Sequence, residues 1–195
     1  MNTRGDVHEQ KSIQKKWRQF VTQAFLKILY GNIGKKTIIY APLEVQGADR
    51  IYIGEDSVIE ESVQLKVMHD PQKGKFASLN IGNRVTIGVG VKIICHGEIT
   101  IRDDVKIDNF CVINDAPNEK NRVEENQGYQ APIRIGTNCQ IGKNVKIIAN
   151  GRIGKGCVVA PNSIVNAGFP DYVIISGSPA RVVSQFDTRG QRTEN

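Results

Sequence analysis

The chain has 195 residues, a formal net charge of +6 and 39% hydrophobic residues, a composition that suits one domain. No run approaches the ~18 apolar residues of a membrane span, and Met1–Gly31 lacks the layout of a secretion signal, so a soluble, cytoplasmic protein is expected. The charge is lopsided: residues 1–36 hold eight Lys or Arg against two Asp or Glu, which accounts for all six charges, and the neutral remainder speaks against nucleic-acid binding.

Residues 8–30 place Ile13, Trp17, Phe20, Val21, Ala24, Phe25 and Ile28 at spacings of three and four, the apolar stripe of an amphipathic helix. Ser12 suits its N-cap and Gly31 its C′ position. A helix here, the 1–31 segment, would cap the exposed end of whatever follows. With Lys11, Lys15, Lys16, Arg18 and Lys27 it could also rest on an anionic membrane surface.

From Ile33 onward the pattern changes period. Aliphatic residues recur every sixth position, most regularly at Ile135, Ile141, Ile147, Ile153, Val159 and Val165. Residues four further on are small or slim: Cys139, Val145, Gly151, Cys157 and Ser163. Six fits neither a helix nor a simple strand alternation. It fits a triangular solenoid in which each hexapeptide supplies one short strand and one corner. The same register runs upstream through Ile33, Ile39, Val45; Ile53, Ile59, Leu65; Ile81, Ile87, Ile93; and Ile101, Ile107, Ile113. That predicts six coils over residues 32–186, a prism about 29 Å tall at about 4.8 Å per coil.

Extra residues interrupt the repeat at defined points. Two are added between Val45 and Ile53 and two between Ile93 and Ile101; ten fall near 66–80 and sixteen near 114–132. Long loops on a rigid scaffold are where binding and catalysis concentrate. After Val165 the repeat dissolves, Phe169-Pro170 closes the last coil, and Gly177–Val183 turns into a short element. Residues 187–195 form a polar tail expected to be disordered.

Cys111, Cys139 and Cys157 fall in the small column and should be buried. Cys95 lies outside it and is expected to be the accessible thiol. There is no CxxC pair and the three His are scattered, so no metal site is expected.

The IGxxxx repeats, the long loop after the fourth coil and the terminal Gly177-Ser178-Pro179-Ala180-Arg181-Val182-Val183 resemble the hexapeptide-repeat acyltransferases, and most closely their sugar and polysaccharide O-acetyltransferase branch. The resemblance implies an all-β fold, a left-handed parallel β-helix, here with an N-terminal amphipathic helix. It implies a homotrimer, with acetyl-CoA in the groove between prisms as co-substrate and a hydroxyl of a sugar or nucleotide sugar as acceptor. It also implies that Lys143, Pro161 and Asn166 line the cofactor groove and that Arg181 meets the cofactor phosphates.

Two positions depart from the family pattern. Where a basic residue often follows Asn166, this chain has Ala167. Where the family has D-H-x-H, it has Asp115-Ala116-Pro117-Asn118, so the expected general base is an alanine. The register supplies a substitute. Ala116 lies three residues after Ile113, and His96 lies three after Ile93, one coil below. Asp115 and Cys95 form the neighbouring column, so His96 with Asp115 is the candidate catalytic pair. The competing reading is a trimeric scaffold or CoA-binding protein without activity. A carbonic-anhydrase reading fails because His8, His69 and His96 do not converge in the register.

Overall fold

The computed structural model describes residues 32–40, 43–68, 77–116, 132–186 and, by backbone, 192–193. The helix expected over 8–30 and the interiors of the two long loops lie outside the described residues. The rest is almost wholly β-structure, relieved by one short 3-10 turn at Ala48–Arg50.

Three parallel sheets form the faces of a prism. The first face stacks Ile38–Ile39, Val58–Ile59, Thr86–Ile87, Lys106–Ile107, Gln140–Ile141, Val158–Val159 and Val173–Gly177. The second stacks Leu43–Gln46, Val63–Val67, Lys92–Cys95, Val112–Asn114, Lys146–Ile148 and Ile164–Val165. The third stacks Ile51–Ile53, Ser78–Ile81, Glu98–Ile101, Ile133–Ile135, Arg152–Ile153 and Gly168–Phe169. The hexapeptide register is reproduced rung by rung. On the second face Val45, Leu65, Ile93, Ile113, Ile147 and Val165 are successive partners, and on the first Ile39, Ile59, Ile87, Ile107, Ile141 and Val159. Apart from Val45, which is partly buried and packs against the rest, these side chains form one continuous buried column set, which is the core.

The small column has a second purpose beyond fitting the corner. Its hydroxyls and thiols donate to carbonyls of the next coil: Ser57 Oγ to Gly82 O at 3.0 Å, Cys139 Sγ to Gly154 O at 2.9 Å and Cys157 Sγ to Pro170 O at 3.1 Å. Small polar residues thus tie successive corners together where strand pairing stops.

Two of the three edges turn by one rule. Between the first and second faces, Ser62, Gly90, Phe110, Asn144 and Asn162 have positive φ; between the third and first, so do Lys36, Asp56, Arg84, Asp104, Asn138, Gly156 and Tyr172. All but Tyr172, which follows Phe169, sit three residues after an inward aliphatic. Asn, Asp and Gly tolerate this left-handed region best, which explains the N at this place in several repeats. The remaining edge, from the second face to the third, carries all the extra residues. That concentrates irregular backbone along one edge of the prism.

The end of the chain differs from expectation. The solenoid does not stop at Val165. Phe169 stacks on Ile153 and Ile175 on Val159, continuing two faces by a further rung. Val173–Gly177 then pairs antiparallel with Ala180–Phe186, a seven-residue strand rather than a short element. Within the tail expected to lack structure, Arg192–Thr193 pairs with Gln185 and Phe186.

Candidate active site

The irregular edge carries the chemistry-bearing residues. Strand Lys92–Cys95 leads into it with Ile93 and Cys95 inward, and the chain re-enters the third face at Glu98. The two extra residues let the second-face strand run on inward past Ile93, so Cys95 is fully buried. The expectation of an accessible Cys95 is corrected on that ground. One coil further, Asn114 is the register partner of Ile94, and the N–H of Asp115 points to Ile94 O at 3.4 Å. Asp115 therefore enters the same inward column as Val67, Cys95 and Ala149, and is itself fully buried.

A buried carboxylate needs donors. Asp115 takes them from the turn below: His96 N–H donates to Oδ1 at 2.6 Å and Gly97 N–H to Oδ2 at 2.9 Å. The His96 ring lies against the same carboxylate, with Nδ1 3.5 Å from Oδ1. Its side chain is 32% exposed, yet Nδ1 itself is buried and has no hydrogen-bond partner among the described residues. The pair named from the register is thus in contact. The backbone clamp between them was not read from sequence. Its only signal there was the two-residue excess holding Gly97.

Cys95 lies 3.9 Å from Asp115 Oδ2 through its Sγ. Burial, reinforced by the Asp115 charge, pushes its thiol up to about 12, which disqualifies it as a nucleophile at neutral pH. Ala116 is half-buried, and its N–H bonds Asn114 Oδ1 at 2.9 Å.

The four residues expected to hold the cofactor are dispersed. Asn166 is exposed at the start of the irregular edge, one residue past Val165 and so in the column of Ile148 and Asn114. Lys143 and Pro161 lie a face away, on the edge between the first and second faces. There Lys143 Nζ stands 5.5 Å from the Phe110 ring, and Asn162 N–H bonds Lys143 O at 3.0 Å. Arg181 is exposed on the antiparallel strand, its Nη1 donating to Ala180 O at 2.7 Å. One chain brings His96, Asp115 and Asn166 to one edge and leaves Lys143 and Pro161 on another. Among the described residues no three metal-ligating side chains cluster, and no helix is long and apolar enough to cross a membrane.

Known proteins resemble this chain in sequence or in fold. The probable acetyltransferase Rv3034c of Mycobacterium tuberculosis is 34% identical over 110 residues, 54% of this chain and 37% of its own length. The galactoside O-acetyltransferase of Escherichia coli is 29% identical over 115 residues, covering 58% and 57%. The relatives are acyltransferases. The chain spans less than two thirds of the length of these curated acyltransferases, and no family-wide profile matches it. The N-acyltransferase AntD of Bacillus cereus, solved with dTDP and coenzyme A, superposes with a TM-score of 0.69 at 20% identity over 86% of this chain and 90% of its own. The hexapeptide-repeat acetyltransferase VCA0836 of Vibrio cholerae gives 0.52 at 22% identity over 86% and 80%. At such identities the likeness to both acyltransferases shows the fold.

Proposed function

We propose that this protein transfers an acetyl group from acetyl-CoA to a hydroxyl of a sugar or nucleotide sugar, with His96 as general base. The observation that carries the reading is the His96–Asp115 contact at the edge where the repeat departs from regularity. Nδ1 faces the buried carboxylate, which leaves Nε2 as the nitrogen available to an acceptor. His96 takes the hydroxyl proton as the oxygen attacks the thioester carbon; the C–S bond breaks, and the thiolate of CoA takes up the proton. Asp115 holds the ring's buried side and stabilises the imidazolium formed in that step.

Named relatives support the substrate class. One is a galactoside O-acetyltransferase, another a putative lipopolysaccharide O-acetyl transferase, and AntD was solved with dTDP-4-amino-4,6-dideoxyglucose and CoA. That company supports a role in surface-polysaccharide synthesis. Asn166 and Arg181 are assigned to CoA, Arg181 to its phosphates. Lys143 and Pro161 lie too far round the prism to share a groove with His96 in one chain. A homotrimer supplies them from a neighbouring subunit's edge. The N-terminal segment 1–31 is assigned to capping the open first coil.

Ala116, standing where the family keeps its histidine, favours a second reading: a trimeric scaffold or CoA-binding protein without turnover. Acetyl-CoA turnover against a panel of sugars and nucleotide sugars, with CoA binding measured in parallel, separates the two. Turnover that falls at least a hundredfold in His96→Ala supports the enzyme. CoA binding without turnover on any acceptor supports the scaffold.

A further inference from the structure

The third face carries a feature that the proposed reaction leaves unused. Its outward residues align in register from the first coils upward as Tyr52, Asn80, Thr100, Arg134, Arg152 and Gly168. Arg134 and Arg152 are direct register partners, and both are exposed. Two like charges on adjacent rungs, about 4.8 Å apart, repel one another. Glu98 relieves only one of them, with Oε2 3.4 Å from Arg134 Nη2. Among the described residues no carboxylate lies within ion-pair distance of Arg152. Above Arg152 the next rung is Gly168, where an added Cβ would meet nothing nearer than Arg152 Cβ at 3.9 Å. A cation pair with a carboxylate partner for Arg134 alone therefore borders an open rung.

We infer that Arg134 and Arg152 form a diphosphate-binding ladder for a nucleotide whose reactive end lies at His96. Two planar guanidinium forks one rung apart present paired N–H donors to adjacent phosphoryl groups, the bidentate geometry in which Arg outperforms Lys. The bound diphosphate would remove the repulsion that the free face carries. Position supports this. Strand Glu98–Ile101 starts two residues after His96, and Thr100 is the rung beneath Arg134. Counting about 3.3 Å per residue along the strand and about 4.8 Å per rung, Arg152 lies roughly 12 Å from the Glu98 backbone, two residues after His96. An extended nucleotide spans that distance once the arginine side chains reach back along the face. Two nucleotides share the required chemistry: the nucleoside diphosphate of an activated sugar, and the diphosphate of CoA. The inference rests on the proposed reaction only for what occupies His96.

Calorimetric titration of the full-length protein, of Arg152→Gln and of the Arg134→Gln/Arg152→Gln double variant tests it, with CoA, UDP and inorganic pyrophosphate as probes. At least one nucleotide should bind tenfold or more weakly to Arg152→Gln, and pyrophosphate should displace it from the unmodified protein. Loss confined to UDP places the acceptor on the ladder; loss confined to CoA places the donor there. Gly168→Asp, which sets a carboxylate beside Arg152, should reproduce the loss without touching either arginine. Affinities within twofold for both nucleotides in Arg152→Gln would overturn the ladder, as would failure of both to bind the unmodified protein. Arginine-dependent binding without acetyl transfer would uphold the ladder while removing the proposed reaction. Transfer with arginine-independent binding would do the reverse.

Discussion

Asp115 grips the backbone of His96 more closely than it grips the ring: Oδ1 is 2.6 Å from the His96 amide nitrogen and 3.5 Å from Nδ1. With Gly97 N–H on the other oxygen, the carboxylate closes the turn that presents the imidazole. Asp115 thus positions His96 first through the main chain and second through the ring.

Asp115→Asn should therefore affect stability and turnover together. The amide NH2 must face one of the two N–H donors, leaving that donor unsatisfied at a cost of about 1–3 kcal/mol. A lowered Tm by calorimetry and a kcat reduced at least tenfold, with KM for acetyl-CoA little changed, are the expected outcomes. In a double variant with His96→Ala, the kcat loss should not exceed that of His96→Ala alone. Additive losses would show that Asp115 acts independently of the ring.

The thiols should be silent in the native state. All four are buried; burial pushes Cys111 up to about 11, Cys157 together with burial pushes Cys139 up, and the hydrogen bond with Cys139 holds Cys157 down to about 7, so for that thiol it is burial and not protonation that keeps reagent away. At pH 7.5 a thiol titrant should react slowly until denaturant is added, then count four. A thiol protonated in the fold but ionised in the unfolded chain favours folding below the unfolded pKa, about 8.5, and the benefit is lost as pH rises through the folded value. Stability should decline from about pH 8.5 towards 12, and Cys95→Ala should flatten part of that slope.

Two glycines should respond unequally to alanine. At Gly142 an added Cβ would stand 2.7 Å from Pro161 N and 2.8 Å from Val159 O, both backbone atoms that cannot yield cheaply. Gly142→Ala should cost about 1–3 kcal/mol, read as a lowered denaturant midpoint. Gly168→Ala meets only Arg152 Cβ at 3.9 Å and should be close to neutral. Equal effects would contradict the stacking of the sixth coil on the fifth.

Arg181→Ala should weaken CoA more than dephospho-CoA, because its assigned partner is a phosphate and its exposed position gives it no core to support. Equal loss for the two ligands would move Arg181 out of the cofactor site.

The first coil opens on a shallow apolar concavity lined by Ile33, Ile39, Leu43, Val45, Ile51 and Leu65. If residues 1–31 cap it, removing residues 1–30 should lower the Tm and raise binding of an apolar fluorescent dye. A truncated protein with unchanged dye binding would leave the cap reading without support.

The register of the solenoid was legible because a coil repeats the same neighbours. Ile93 must lie between Leu65 and Ile113 whatever the loops do, so a local hexapeptide period already specifies long-range contacts. The same logic brought His96 to Asp115 from sequence alone. What the period could not convey lies at the corners and on the outer faces. How far a strand runs inward past its last aliphatic depends on the extra residues that follow. Only the folded chain therefore showed Cys95 and Asp115 buried and the His96 and Gly97 amides turned onto the carboxylate. Edges are separated by whole faces, so Lys143 and Pro161, near Asn166 in sequence, stand apart from the His96 edge in space. Outward positions carry no periodic constraint. Arg134 and Arg152 therefore read as scattered charges until parallel pairing set them on adjacent rungs of one face.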